Sequence, residues 1–181
     1  TAEQEAIIGA AALLHDVTHV PFGHTLEDER RLFARHDKGA RLARLLDDEL
    51  GDALDWLGMR REVGALLGQA GPEATSTWAR EIVSGTIDAD LLDYLRRDSF
   101  FAGLAHDYDD RILRAFALHD DRLVLRLVKR GMDRPDTRSE IVGVLRLRYF
   151  LTERVYYHHT KVVAGAMISK AVELAHDQGL L

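Results

Sequence analysis

The chain has 181 residues, which at about 150 residues per domain reads as one domain or at most two. There is no cysteine, which excludes a disulfide scaffold, a thiol nucleophile and any Cys-ligated zinc or iron–sulfur site. Lys and Arg number 24 against 30 Asp and Glu, a net charge of −6 with a pI near 5.8. That balance argues against a dedicated nucleic-acid binder, whose surface must neutralise phosphates. No apolar run nears the roughly 20 residues that cross a bilayer, and no basic-then-apolar signal segment opens the chain. A soluble, cytoplasmic protein with no membrane partner is expected. The start at Thr1, inside an Ala-rich stretch, reads as a fragment or trimmed form of something longer.

With only three prolines and an excess of Ala, Leu, Arg, Glu and Asp, helix is the default. Residues 3–15 are apolar almost all round and predict a helix buried on most sides. The following HDVTHVPFGHT loses helical periodicity and carries Pro21 and Gly23, so it reads as a loop. Residues 37–50 space Ala40, Ala43, Leu46 and Leu50 as one amphipathic helix. Short helices are expected at 60–67 and 77–84, around a Gly71-Pro72 turn. The clearest later helix is 87–101, with Ile87, Leu91 and Leu95 in an apolar row. Asp90, Tyr94 and Asp98 form a polar row on one face. The alternation at Leu123, Leu125 and Leu127 predicts a strand, with residues 111–117 as its hairpin partner through 118–121. From Thr137 to the end the pattern is helical, bent near Tyr156–His159. No internal repeat or linker is visible. The fold class expected is mostly α with a small β-hairpin, in a single domain over 1–181.

Nine histidines make metal or acid–base chemistry worth seeking. His-Asp occurs five times, so the dipeptide alone carries no information. His15-Asp16 differs by context, because an imidazole and a carboxylate ending an apolar helix are costly to bury uncompensated. A divalent cation compensates both, and His19, His24 and His36 follow closely enough to handle phosphate charge. The plain alternative is a helix C-cap by His15 with solvated loop histidines. Asp90 could complete a His/Asp/Asp metal set, Tyr94 could pack on a sugar and Asp98 could accept from a hydroxyl. For that row the plain alternative is a solvated acidic face.

Together, HDVTHVPFGHTLE and IDADLLDYLRRDSFFAG resemble the HD-domain phosphohydrolases, in their deoxynucleoside triphosphate triphosphohydrolase branch. The strings have the forms H-D-x-x-H-x-P-F-x-H and I-D-x-D-x-x-D-Y-x-x-R-D. A third stretch, LRLRYFLTERVYYHHTKVVAGAMI, resembles the family's helix over the nucleotide. The similarity runs over about residues 5 to 175.

The resemblance implies an HD-type helical fold holding one divalent metal ion, with Mn, Mg, Fe, Ni and Zn not distinguished. His15, Asp16 and Asp90 match metal ligands, and Asp88 fits a capping part. The family's first ligand, a histidine some tens of residues earlier, falls before Thr1, so metal affinity is expected to be weakened or lost. His24 with Glu27, and His36 with Asp37, match two catalytic His–acid pairs; His19 matches a further phosphate-side histidine. Tyr94 and Asp98 match sugar contacts, Arg148 a triphosphate contact, and Tyr156 and His158 the sugar and base lining. Leu91 departs from the pattern, standing where a vertebrate member has a phosphate-binding lysine. His106, His119 and His176 match nothing. The implied reaction is metal-assisted attack of water on the α-phosphorus, with His24 or His36 assisting the leaving oxygen. Its products are a deoxynucleoside and triphosphate. The other readings are a phosphohydrolase of nucleoside monophosphates or other phosphate esters, and a nucleotide-binding regulatory module without turnover. A nucleotide or phosphate-ester substrate and a homo-oligomer are the partners expected.

Overall fold

The computed structural model describes residues 1–36, 40–71 and 75–180, so Asp37 and the Pro72 turn lie outside the described residues. It is mostly helical with two small antiparallel hairpins, and the chain divides into two compact units. One comprises Thr1–Gly71 with Tyr157–Leu181, the other Pro72–Tyr156. Among the described residues no helix is long and apolar enough to cross a membrane.

In the first unit, α1 (Ala2–Leu14) begins at Thr1, whose hydroxyl accepts from the Gln4 amide. The helix forms as its composition predicts, but its burial does not. Only Ala11 is buried, and Leu13 is 84% exposed. One helix, α4 (Arg60–Leu66), packs against α1, so one stripe is covered where the composition suggests the whole circumference.

The helix expected over 37–50 is two, α2 (Ala40–Leu46) and α3 (Glu49–Trp56). Asp48 separates them, accepting from the Glu49 amide as the N-cap of α3. Its short carboxylate competes for backbone amides and favours a cap over a helix interior. The turn brings Gly51 so close to the Leu46 carbonyl that a Cβ there would lie 1.9 Å from its oxygen. Leu42, Leu46, Leu54, Val63, Ala65 and Leu66 form the buried side.

Part of the expected loop is a wide π-helical turn, His24–Glu29, closed by Arg30 N–H donating to the Thr25 carbonyl at 3.1 Å. Helix α8 (His159–Asp177) lies on this turn. Gly165 faces Thr25, where a Cβ would sit 3.2 Å from the threonine side chain. Arg30 pairs with Glu173, and Lys161 with Glu29 at 3.0 Å.

In the second unit, α5 (Thr77–Val83) precedes α6 (Ala89–Phe101), which starts at the Asp88 N-cap. The Asp88 carboxylate accepts from Leu91 N–H at 2.8 Å and Gly85 N–H at 2.9 Å, the capping part expected of it. Leu91 and Leu95 face a core with Leu92, Tyr108, Ile112, Val144, Leu147 and Leu151. Residues 110–115 are a 3-10 helix, not a strand. The first hairpin therefore pairs β1 (Phe116–His119) with β2 (Arg122–Leu125). Its two-residue turn is Asp120-Asp121, with φ of 48° and 57°, the left-handed pair a tight hairpin needs. A second hairpin, β3 (Val128–Lys129) with β4 (Met132–Asp133), turns through Arg130-Gly131 and was not expected. Helix α7 (Pro135–Leu151) runs into a π-helical turn, Thr152–Tyr156. The break before α8 falls where the sequence places the bend.

Candidate metal centre

His15 directly follows α1. Its Nδ1 lies 2.7 Å from the Ala12 carbonyl. A carbonyl only accepts, so Nδ1 donates, and in the neutral ring Nε2 carries the lone pair. That Nε2 is 3.4 Å from Asp16 Oδ1. His15 thus caps its helix, as the plain alternative holds, and also presents a donor atom to Asp16.

Two more imidazoles converge on the same oxygen. His36 Nε2 is 3.1 Å from Asp16 Oδ1, and His19 Nε2 is 3.6 Å from it. The His19 and His36 rings stack at 3.5 Å between centroids, 28° apart in plane. Both turn their other nitrogen to one carboxylate oxygen, Glu27 Oε2, at 3.8 Å for His19 and 3.0 Å for His36. The two rings therefore stand side by side between two carboxylates.

Glu27 is 3% exposed and fully engaged. Oε2 also accepts from the His36 amide at 2.8 Å, and Oε1 accepts from Arg41 at 2.9 Å. Burial alone would raise its pKa, but the hydrogen bonds from His36 and Arg41 outweigh burial and hold it down at about 2. Arg41 further donates to the carbonyls of Thr18 and Ala34, and the Thr18 hydroxyl donates to the His36 carbonyl. These bonds tie the segment after α1 to the one before α2. His19 is pushed below its ordinary pKa, first by burial and then by the charge of His36.

Gly23 completes the packing. A Cβ there would stand 2.2 Å from His19 Nδ1, so the stacked position of the His19 ring requires a glycine.

The expected His–acid pairing is rearranged. His24 pairs with Asp28, its Nδ1 2.9 Å from Oδ2, and Glu27 pairs with His36. The wider π-helical turn brings i+4 rather than i+3 beneath His24, and sends Glu27 inward. The expected partner of His36, Asp37, lies outside the described residues. Asp28 is also held by Arg35 at 2.6 Å. The hydrogen bond from His24, outweighing burial, keeps the Asp28 carboxyl below its usual range, with the Arg35 charge adding to it. The His24 side chain is 75% exposed.

In the second unit, Asp90, Tyr94 and Asp98 stand on α6, each half-buried. Tyr156 donates to Asp98 Oδ2 at 2.7 Å, and its ring meets Tyr94 edge-on at 6.2 Å. Burial and that hydrogen bond push the Tyr156 phenol up, so it remains a donor. Burial also raises the Tyr94 phenol, opposed by the charge of Arg148, which is itself exposed on α7. Tyr94, Asp98, Arg148 and Tyr156 therefore form one polar neighbourhood. His158 belongs to the first unit, where it is exposed and its Nδ1 accepts from Thr160 N–H as the N-cap of α8. Leu91, with no cationic head, is buried in the core.

Asp16, His19 and His36 offer three ligand atoms within 4.8 Å of one another. Bonds of about 2.0–2.2 Å to a common ion need donors roughly this close. Two imidazole nitrogens with a carboxylate oxygen also form a donor set that such cations accept. The second shell is in place, since Glu27 fixes the His36 ring with Nε2 outward. These residues could hold a metal ion. Sequence reasoning missed Arg41, Asp28 and Arg35, which carry no motif and act only through the groups they orient.

No protein-family model matches the sequence. The chain is 29% identical over 177 residues to the uncharacterized protein YwfO of Bacillus subtilis, covering 94% of this chain and 38% of that protein. It is 30% identical over 169 residues to the uncharacterized protein MJ1154 of Methanocaldococcus jannaschii, covering 90% of this chain and 32% of that one. A third relative, the uncharacterized MG461 homolog of Mycoplasma pneumoniae, is 29% identical over 119 residues, 55% of this chain and 25% of its own length. The chain spans about a third of the length of the first two of these curated relatives.

Proposed function

We propose that this chain is the core of a metal-dependent phosphohydrolase that cleaves deoxynucleoside triphosphates to deoxynucleoside and triphosphate. The observation that supports this is the convergence of three imidazole Nε2 atoms within 3.6 Å of Asp16 Oδ1. The resemblance of the sequence motifs adds Asp90 as a ligand beside His15 and Asp16, and supplies the substrate class. A bound divalent cation would polarise a phosphoryl oxygen and lower the pKa of water.

The chain's own residues have distinct tasks in this reading. Glu27, ionised and braced by Arg41, keeps the His36 ring in one orientation. His24, exposed and oriented by Asp28, can deliver a proton to a departing 5′ oxygen through Nε2. Asp98, holding Tyr156 on one oxygen, accepts a sugar hydroxyl on the other. Arg148 suits phosphate oxygens with its planar guanidinium.

Incubation with mixed deoxynucleoside triphosphates and Mn²⁺ or Mg²⁺ should release triphosphate and deoxynucleoside. Release of single orthophosphates would move the reading to shorter phosphate esters. One observation favours that second reading: Leu91, buried and apolar, adds no cation to a triphosphate cradle. Asp90→Ala should lower metal occupancy; unchanged occupancy would remove Asp90 from the ligand set.

A further inference from the structure

We infer that Arg35 is a positioning residue for His24: through Asp28 it holds the imidazole with Nε2 outward, where a departing oxygen can take a proton. This role rests on the phosphohydrolase reading for its reaction, and on geometry within the first unit for its contacts.

Both oxygens of Asp28 are engaged. Oδ2 lies 2.9 Å from His24 Nδ1, and Oδ1 accepts from Arg35 Nη1 at 2.6 Å. An ionised carboxylate only accepts, so His24 Nδ1 donates and Nε2 is turned away from Asp28. Held at one oxygen alone, the carboxylate could swing together with the largely exposed imidazole. Arg35 supplies the second hold, and it stands on braced backbone. The Ala34 carbonyl before it accepts from Arg41. The His36 amide after it donates to Glu27 Oε2 at 2.8 Å, and the His36 carbonyl accepts from the Thr18 hydroxyl at 2.9 Å.

The same order of groups, arginine to acid to imidazole, occurs twice on adjacent acids. Arg41, Glu27 and His36 form the inner set around a buried carboxylate. Arg35, Asp28 and His24 form the outer set, which is open to solvent. The outer ion pair links residues only seven apart, and water screens such exposed pairs, so it adds little to stability. What it supplies is direction. An exposed ring with one nitrogen fixed presents the same atom to every incoming leaving group, which is the alignment a general acid requires.

Nitrogen-15 NMR of the imidazoles in EDTA, at about pH 8 where they are neutral, reads the ring directly. His24→Gln identifies the His24 signal by its loss. Wild type should show His24 in the Nδ1–H form, because the hydrogen bond to Asp28 selects that tautomer. Arg35→Ala should shift it toward the Nε2–H form, with a thermal midpoint within about 2 °C of wild type. With deoxynucleoside triphosphates and Mn²⁺, Arg35→Ala should lower kcat on the order of tenfold at unchanged KM. Arg35→Lys, whose ammonium can still pair with Asp28, should recover most of that loss. An Nδ1–H signal that is missing from wild type, or that persists in Arg35→Ala, overturns the clamp. A raised KM at unchanged kcat also overturns it, since Arg35 would then be binding substrate. No triphosphate from wild type overturns the phosphohydrolase reading and the positioning role within it; the ring signal distinguishes that failure from a failure of the clamp.

Discussion

Glu27 Oε2 accepts from both the backbone amide and the ring Nδ1 of His36, at 2.8 and 3.0 Å. One buried carboxylate thus fixes where His36 stands and which ring nitrogen faces Asp16. With Arg41 on the other oxygen, this contact joins the segment after α1 to the start of α2.

Replacing Glu27 by Gln keeps the shape and removes the charge. It should destabilise the chain by about 2 kcal/mol, because Arg41 loses its anion while remaining partly solvated. Urea unfolding midpoints should show the loss. Arg41→Met should fall in the same range, and the double variant should cost less than the sum of the two.

Acid should act through the same carboxylate. The folded pKa of Glu27, about 2, lies below its ordinary 4.5. Its stabilisation is therefore full above about pH 4.5 and disappears as pH falls through about 2, at most about 3 kcal/mol in all. His19, also lowered, contributes at higher pH: its stabilising effect is full above about 6.5 and declines as pH drops below that. Unfolding measured in EDTA from pH 7 to 2 should show both phases in wild type. The lower phase should be smaller in Glu27→Gln, with the remainder supplied by other lowered carboxylates such as Asp28.

Gly23→Ala introduces a methyl 2.2 Å from His19 Nδ1. The obstacle is one imidazole, so the fold should survive with an unchanged circular dichroism spectrum while His19 turns away. Mn²⁺ affinity should fall on the order of tenfold. Calorimetric titration would expose an unchanged affinity.

Tyr156→Phe removes the donor to Asp98 Oδ2 and should cost about 1 kcal/mol. With a deoxynucleotide substrate it should raise KM without lowering metal occupancy. A fall in occupancy would show that the residue acts at the metal.

Two positions away from the site test the fold itself. Leu95, fully buried in the second unit's core, should lose about 3 kcal/mol on Leu95→Ala. Arg130, at φ 52° in the second hairpin, should gain about 1 kcal/mol on Arg130→Gly by relief of left-handed strain. Thermal unfolding would separate the opposite shifts.

Local pattern determined much of what the sequence by itself decides here. The runs of apolar residues place α1 and α6, Asp88 caps α6 as its position suggests, and His15-Asp16 falls at a helix end. These features follow from interactions within a turn or two of chain, so spacing reveals them. Tertiary structure decided the rest. Glu27 chose His36, nine residues away, over His24, three residues away, because a π-helical turn directed it inward to Arg41. Asp48 divided one amphipathic pattern into α2 and α3, and α1 left most of its apolar surface uncovered. Such outcomes depend on which distant groups share a buried volume, and no periodicity along the chain encodes that.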